Sequence, residues 1–111
     1  MVVDKVLGFI GILFRADKAI IGENARNSQK GRLGFLAKDA SENSKKDARL
    51  HSERLGYPLY EDYSKEELGK ALGYDSVSFL LITDKKAATA IEEKRKERLN
   101  EENATVPFQK E

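Results

Sequence analysis

The chain has 111 residues, enough for one domain and too few for two independently buried cores. Charged residues make up 35% and hydrophobic ones 40%, so the surface is unusually ionic; 20 Lys and Arg against 19 Asp and Glu leave a net charge of +1, which points to no class of partner. With no cysteine and one histidine, His51, a disulfide scaffold, a thiolate zinc site, a cysteine nucleophile and a His-rich metal site are excluded.

In chain order, residues 2–15 predict a helix. Val6, Phe9, Ile10 and Leu13 repeat at helical spacing, and Val2, Val3, Leu7 and Phe14 widen the apolar stripe. Gly8 and Gly11 disfavour a helix and are read as sites of close packing. The apolar run from Val6 to Phe14 is too short to span a bilayer. Asp4 before it and Arg15-Ala16-Asp17-Lys18 after it do not suit a signal peptide, so a reduced, cytoplasmic setting is expected.

A short strand at 18–21 ends at Gly22, and a polar helix at about 23–30, with Ala25 as its one apolar anchor, stops at Gly31. Leu33 to Ala37 reads as a buried strand. Asp39 or Ser41 caps a helix to about Leu55, Gly56 ends it, and a third strand occupies 58–61. Ser64-Lys65-Glu66-Glu67 is a capping box ahead of a helix closed by Gly73. Val77 to Ile82 is the clearest strand. Its two faces are both apolar, so it should be central. Thr83 or Asp84 caps the last helix, 84–99, which carries Ala87, Ala88 and Ile91 before a solvated charged extension. Residues 1–99 are thus expected to form one domain, and 100–111 a frayed, charged tail. The order α-β-α-β-α-β-α-β-α implies an α/β protein with a parallel or mixed sheet between layers of helices.

Enzyme chemistry finds little support. His51 has no evident partner or cleft and reads as an exposed or half-buried surface residue. G-x-S-x-G, Walker and H-E-x-x-H motifs are absent, and the carboxylate pairs sit in mixed-charge runs. Charge distribution says more. From Phe14 to Lys38 stand six bases (Arg15, Lys18, Arg26, Lys30, Arg32 and Lys38) against two acids, Asp17 and Glu23. Amides at Asn24, Asn27 and Gln29 lie where a strand meets a helix. Such an edge suits phosphate and base contacts, and equally an ordinary solvated helix face.

Ile10-Gly11-Ile12, Arg15-Ala16-Asp17-Lys18 and Gly22-Glu23 resemble the L-G-L…R-A-x-K…G-E opening of the short YlxQ-type bacterial proteins. These are members of the kink-turn-binding ribosomal protein family typified by the archaeal large-subunit protein L-seven-Ae. Leu33 to Ser41 resembles the family's k-L-v-x-l-A-x-D-A-S strand and cap. Glu66 to Gly73 is similar to its e-L-G-x-A-x-G helix, and Val77 to Lys85 to its last strand and T-D-k. The resemblance covers about residues 6–92 and implies an α/β/α sandwich around a four-stranded mixed sheet. It further implies binding of structured RNA, kink-turns or ribosomal RNA among them, without catalysis, cofactor, metal, membrane or small-molecule substrate.

Of the family's G-x-N-E-x-x-K motif, Gly22 and Asn24 match, while Ala25 stands at the Glu position and Ser28 at the Lys position. The segment from Gly22 to Asp39 is also about one helical turn shorter. The expected RNA-binding residues are therefore Gly22 and Asn24 by resemblance and Arg26, Lys30, Arg32 and Lys38 by charge. Tyr74 joins them as a base-stacking residue on the second contact loop, which Gly69 and Gly73 would position. The alternative is a protein-interaction module of the same fold without kink-turn recognition, with helix 84–99 as its partner surface.

Overall fold

The computed structural model describes residues 4–104, with side chains through Glu97. Val2, Val3 and residues 105–111, part of the expected first helix and tail, lie outside the described residues. The elements run α1 (Lys5–Arg15), β1 (Ala19–Ile21), α2 (Gly22–Arg26), β2 (Leu33–Leu36), α3 (Glu42–Leu55), β3 (Leu59–Tyr60), α4 (Lys65–Leu72), β4 (Phe79–Ile82) and α5 (Lys85–Ala104). Order and type match the sequence reading. No helix among the described residues is long and apolar enough to cross a membrane.

Local chemistry sets most boundaries. The Asp4 carboxylate caps α1 by accepting the Val6 and Leu7 amides. Ser41, not Asp39, caps α3; Asp39 instead accepts the Lys65 amide at 2.8 Å and ties β2 to the start of α4. Ser64 and Glu67 close the expected capping box, and Gly56 and Gly73 end α3 and α4 in the left-handed conformation. Asp84 starts α5 through the Ala87 amide, and that bond, with Lys18 nearby, holds its carboxyl below the usual range. The α5 backbone stays helical to Ala104, beyond the expected end at 99.

The sheet order is β1-β4-β2-β3, with β4 antiparallel to both neighbours and β2 parallel to β3. β4 is central, as its two apolar faces require. Register fixes the faces. Leu33, Phe35, Leu80 and Ile82 share one side, and Gly34, Leu36, Phe79 and Leu81 the other. The first side is the back, where α1 packs on α4 and α5; the second is the front, where α2 packs on α3. Ile10, Leu13, Ala87 and Ile91 are core residues as expected, whereas Phe9 is only partly buried, with the Lys94 ammonium 5.0 Å from its ring centre.

The two α1 glycines differ. A Cβ at Gly11 would lie 2.6 Å from the Ala71 carbonyl oxygen, so only glycine lets α1 and α4 approach this closely. A Cβ at Gly8 would meet nothing within 4 Å, so close packing does not explain it.

On the back, β3 and α5 are joined by one network. Arg95 donates twice to Asp62 at 2.8 and 3.1 Å, and its guanidinium lies 3.5 Å from the Tyr60 ring centre. The Tyr60 hydroxyl donates to Glu92 at 2.7 Å. Burial and this carboxylate push the Tyr60 phenol up to about 12.

Candidate nucleic-acid interface

The largest departure from the sequence reading lies in the segment after β1. The polar helix expected over 23–30 is a single turn, Gly22–Arg26, ending at Asn27. Ala25 is its one buried residue, too little apolar surface to carry a second turn. Beyond it the Ser28 hydroxyl donates to the Lys30 carbonyl at 2.7 Å and accepts the Lys30 amide at 3.1 Å. Such side-chain to backbone bonds compete directly with helix continuation. Gly31 is not a helix stop. A Cβ there would fall 2.9 Å from Leu81 and Tyr57 side-chain atoms, so the returning loop is pressed against the front of the sheet.

His51 fastens this loop. It is 4% exposed, against the expectation of a surface or half-buried residue. Nε2 lies 3.0 Å from the Ser28 carbonyl oxygen and Nδ1 2.7 Å from the Tyr57 hydroxyl. A carbonyl only accepts, so Nε2 carries the proton, and in the neutral ring Nδ1 accepts from Tyr57. The ring also meets Phe79 edge-on. Burial pushes the Tyr57 phenol up to about 12, with Arg54 opposing the shift. In sequence, Ala48, His51 and Leu55 stand at i, i+3 and i+7 on α3, and that spacing is the available sign that His51 faces inward. Its partner across 23 residues had no sign at all.

The structure separates the expected binding residues. Ile21 pairs with Leu80 and Leu36 with Phe79, so Gly22 leaves β1, and Lys38 follows β2, at the same end of the sheet. The loop bearing Tyr74 enters β4 at that end too, and the Ala37 amide donates to the Ser78 carbonyl at 2.8 Å. Gly22 adopts φ +66°, which L side chains rarely do, and this allows β1 to turn directly into α2. Asn24, Arg26 and Lys38 are exposed, and Tyr74 is 49% exposed with its ring edge-on to Phe14 at 6.0 Å. Backbone of Tyr74 and Ser76 packs against Gly69, where a Cβ would come within 2.8 Å.

Arg32 belongs to the opposite end. Its amide donates to the Ile82 carbonyl at 2.8 Å, beside Lys18, whose ammonium pairs with Asp84 at 3.6 Å. Arg32 and Lys38 stand six residue steps apart along the strand and its flanks, up to roughly 20 Å. Lys30 rides on the returning loop, exposed. Gly22, Asn24, Lys38 and Tyr74 therefore gather at one end of the sheet, Arg26 and Lys30 lie on the way across, and Arg32 sits at the other. Among the described residues no group of three or more His, Asp or Glu could hold a metal ion.

No family model matches the sequence. The RNA-binding protein YlxQ of Enterococcus faecium is 34% identical over 73 residues, covering 62% of this chain and 71% of that protein. The chain belongs to the YlxQ family. Among solved structures, the fold of this YlxQ-family protein is similar to that of a protein of unknown function from Bacillus halodurans C. There the TM-score is 0.74 at 21% identity, over 83% of this chain and 97% of the other. It is also similar to the Giardia lamblia 15.5kD RNA binding protein, with a TM-score of 0.62 at 21% identity over 80% and 82% of the two chains. At that identity the two likenesses show the fold.

Proposed function

We propose that the protein binds structured RNA without catalysis, and that the RNA docks at the end of the sheet where α2 begins. One observation carries the reading: Gly22, Asn24, Lys38 and the Tyr74 loop, drawn from distant parts of the sequence, converge there. The Enterococcus faecium relative, named an RNA-binding protein, supports RNA as the partner. Asn24 offers an amide able to pair with a base edge, Lys38 a phosphate contact and Tyr74 an exposed ring for an unstacked base. Arg26 and Lys30 extend the basic surface along the front, and Arg32 would meet only an RNA long enough to cross the sheet.

Kink-turn recognition is the finer form of this proposal. The test is filter binding of a kink-turn hairpin and an unrelated hairpin of equal length. Asn24→Ala should narrow the gap between the two RNAs while leaving the salt dependence unchanged. Equal binding of both hairpins by the unmodified protein would remove kink-turn specificity, and no binding above that of heparin would remove RNA docking.

The shortened α2 supports a second reading, a protein-interaction module of the same fold lacking kink-turn recognition, with the charged α5 as its partner surface. That reading expects neither hairpin to bind and Asn24→Ala to be silent.

A further inference from the structure

Between the end of α2 and the middle of α3 lies an open groove of about 320 Å³, lined by Arg26, Asn27, Asp47, Leu50, His51 and Arg54. We infer that this groove holds an unpaired nucleotide flanking the docked RNA, with its base on Leu50 and its phosphates beside Arg26 and Arg54. The inference rests on the RNA-binding reading and extends its footprint from α2 onto α3.

Four features converge on a nucleotide. The volume lies at the lower end of that of small-ligand pockets. Leu50 is 53% exposed on a helix whose other exposed residues are polar, so a large apolar side chain is presented to solvent inside a cationic rim. Arg26 and Arg54 enter no ion pair among the described residues, whereas Arg49 on the same helix is held by Glu61 at 3.0 Å. The groove also continues the proposed interface, since Arg26 is the last residue of α2 and stands two positions after Asn24.

The groove has a fixed wall. His51 is anchored on both ring nitrogens, by Ser28 and Tyr57, so its ring is held in one orientation. Asp47 sets the chemistry apart from that of a simple anion site. A carboxylate here opposes an acidic peptide, and it can accept from an exocyclic amino group of a base. Cytidine carries that amino group and uridine does not, so the groove should prefer cytidine.

The probes are a blunt kink-turn hairpin, the same hairpin with a six-cytidine or six-uridine extension on either end, hexacytidine alone and hexaglutamate. Binding is read by fluorescence anisotropy, and occupancy of the groove by methyl NMR of Leu50 in the full chain. A cytidine extension on one end should tighten binding about fivefold, more than uridine does. Leu50→Glu and Arg54→Gln, both at exposed positions, should remove that gain and leave the blunt hairpin unaffected. Asp47→Asn should abolish the cytidine preference.

Extensions that add nothing on either end would overturn the inference while leaving RNA docking intact. So would a gain that survives Leu50→Glu, or hexaglutamate shifting the Leu50 methyls as strongly as hexacytidine. Should neither blunt nor extended hairpin bind, RNA docking fails, and the groove is judged on hexacytidine alone. Leu50 shifts lost in Arg54→Gln would uphold it, and unshifted methyls would end it.

Discussion

The two faces of the sheet are covered in different ways. On the back, α1 packs between α4 and α5 over large buried side chains, α1 meets α4 across a glycine, and α5 is fixed by the Arg95–Asp62–Tyr60–Glu92 network. On the front, α3 shares the work with a single helical turn and a loop held by one histidine. The back thus has many mutually supporting contacts and the front few. Of the expected binding groups, Asn24, Arg26 and Lys30 belong to the thinly covered face or its loop, and Gly22, Lys38, Tyr74 and Arg32 to the ends of the sheet, where Tyr74 rests on Phe14 of α1. Stability and recognition are therefore separable by mutation, and substitutions on each face should show it.

The largest effect is expected in the back core. Leu80 is fully buried on the central strand, so Leu80→Ala should cost about 2–5 kcal/mol in urea unfolding. A cost near zero would mean that the back face is not where stability resides. On the front, His51→Phe roughly keeps the volume but leaves the Ser28 carbonyl and Tyr57 hydroxyl without this partner. The expected cost is about 1–3 kcal/mol, with faster amide exchange confined to residues 27–32. Exchange that rises evenly through the protein would show that the loop is not an independently held unit.

Alkaline pH tests both faces together. The Tyr57 and Tyr60 phenols are both raised to about 12 from 10.0. Above pH 10 the unfolded chain has lost these protons while the native chain keeps them, so stability falls as pH rises from about 10 to about 12. Below that window both contributions are fully present. Tyr57→Phe and Tyr60→Phe should each flatten the decline in thermal unfolding. An unchanged decline in the double variant would assign it to other groups. The smallest effect is a gain. Gly8 is exposed in the interior of α1 with open space around it, so Gly8→Ala should stabilise by about 0.5–1 kcal/mol. A loss would show that Gly8 is not an open helix-interior position.

Legibility in the sequence followed the same division. The back face was readable because its signals are local and periodic: Ile10 and Leu13 at helical spacing, the Ser64 capping box, and the run from Phe79 to Ile82. The element order then allowed a parallel or mixed sheet, and the family resemblance implied the mixed one. The front was less readable because its structure depends on distant partners. Nothing near Ser28 announces that its carbonyl meets His51. The separation of Arg32 from Lys38 does follow from a strand over 33–37, but charge alone, counted along the segment, merges the two ends into one basic edge. The helix expected over 23–30 was overextended for the same reason. Polar residues there tolerate a helix, while the Ser28–Lys30 turn and the packing of Gly31 select a loop. Leu50 carries no sequence signal of its own, because an exposed leucine between charges is common on a surface helix.

The proposed function requires that RNA meet one end of the sheet and not the whole basic edge. Its most direct test is the salt dependence of kink-turn hairpin binding by the unmodified protein, Lys38→Ala and Arg32→Ala. Each lost phosphate contact should lower the log–log slope by about 0.7–0.9. That loss is expected for Lys38→Ala, with an unchanged slope for Arg32→Ala. Equal losses for the two variants, or a loss confined to Arg32→Ala, would contradict it.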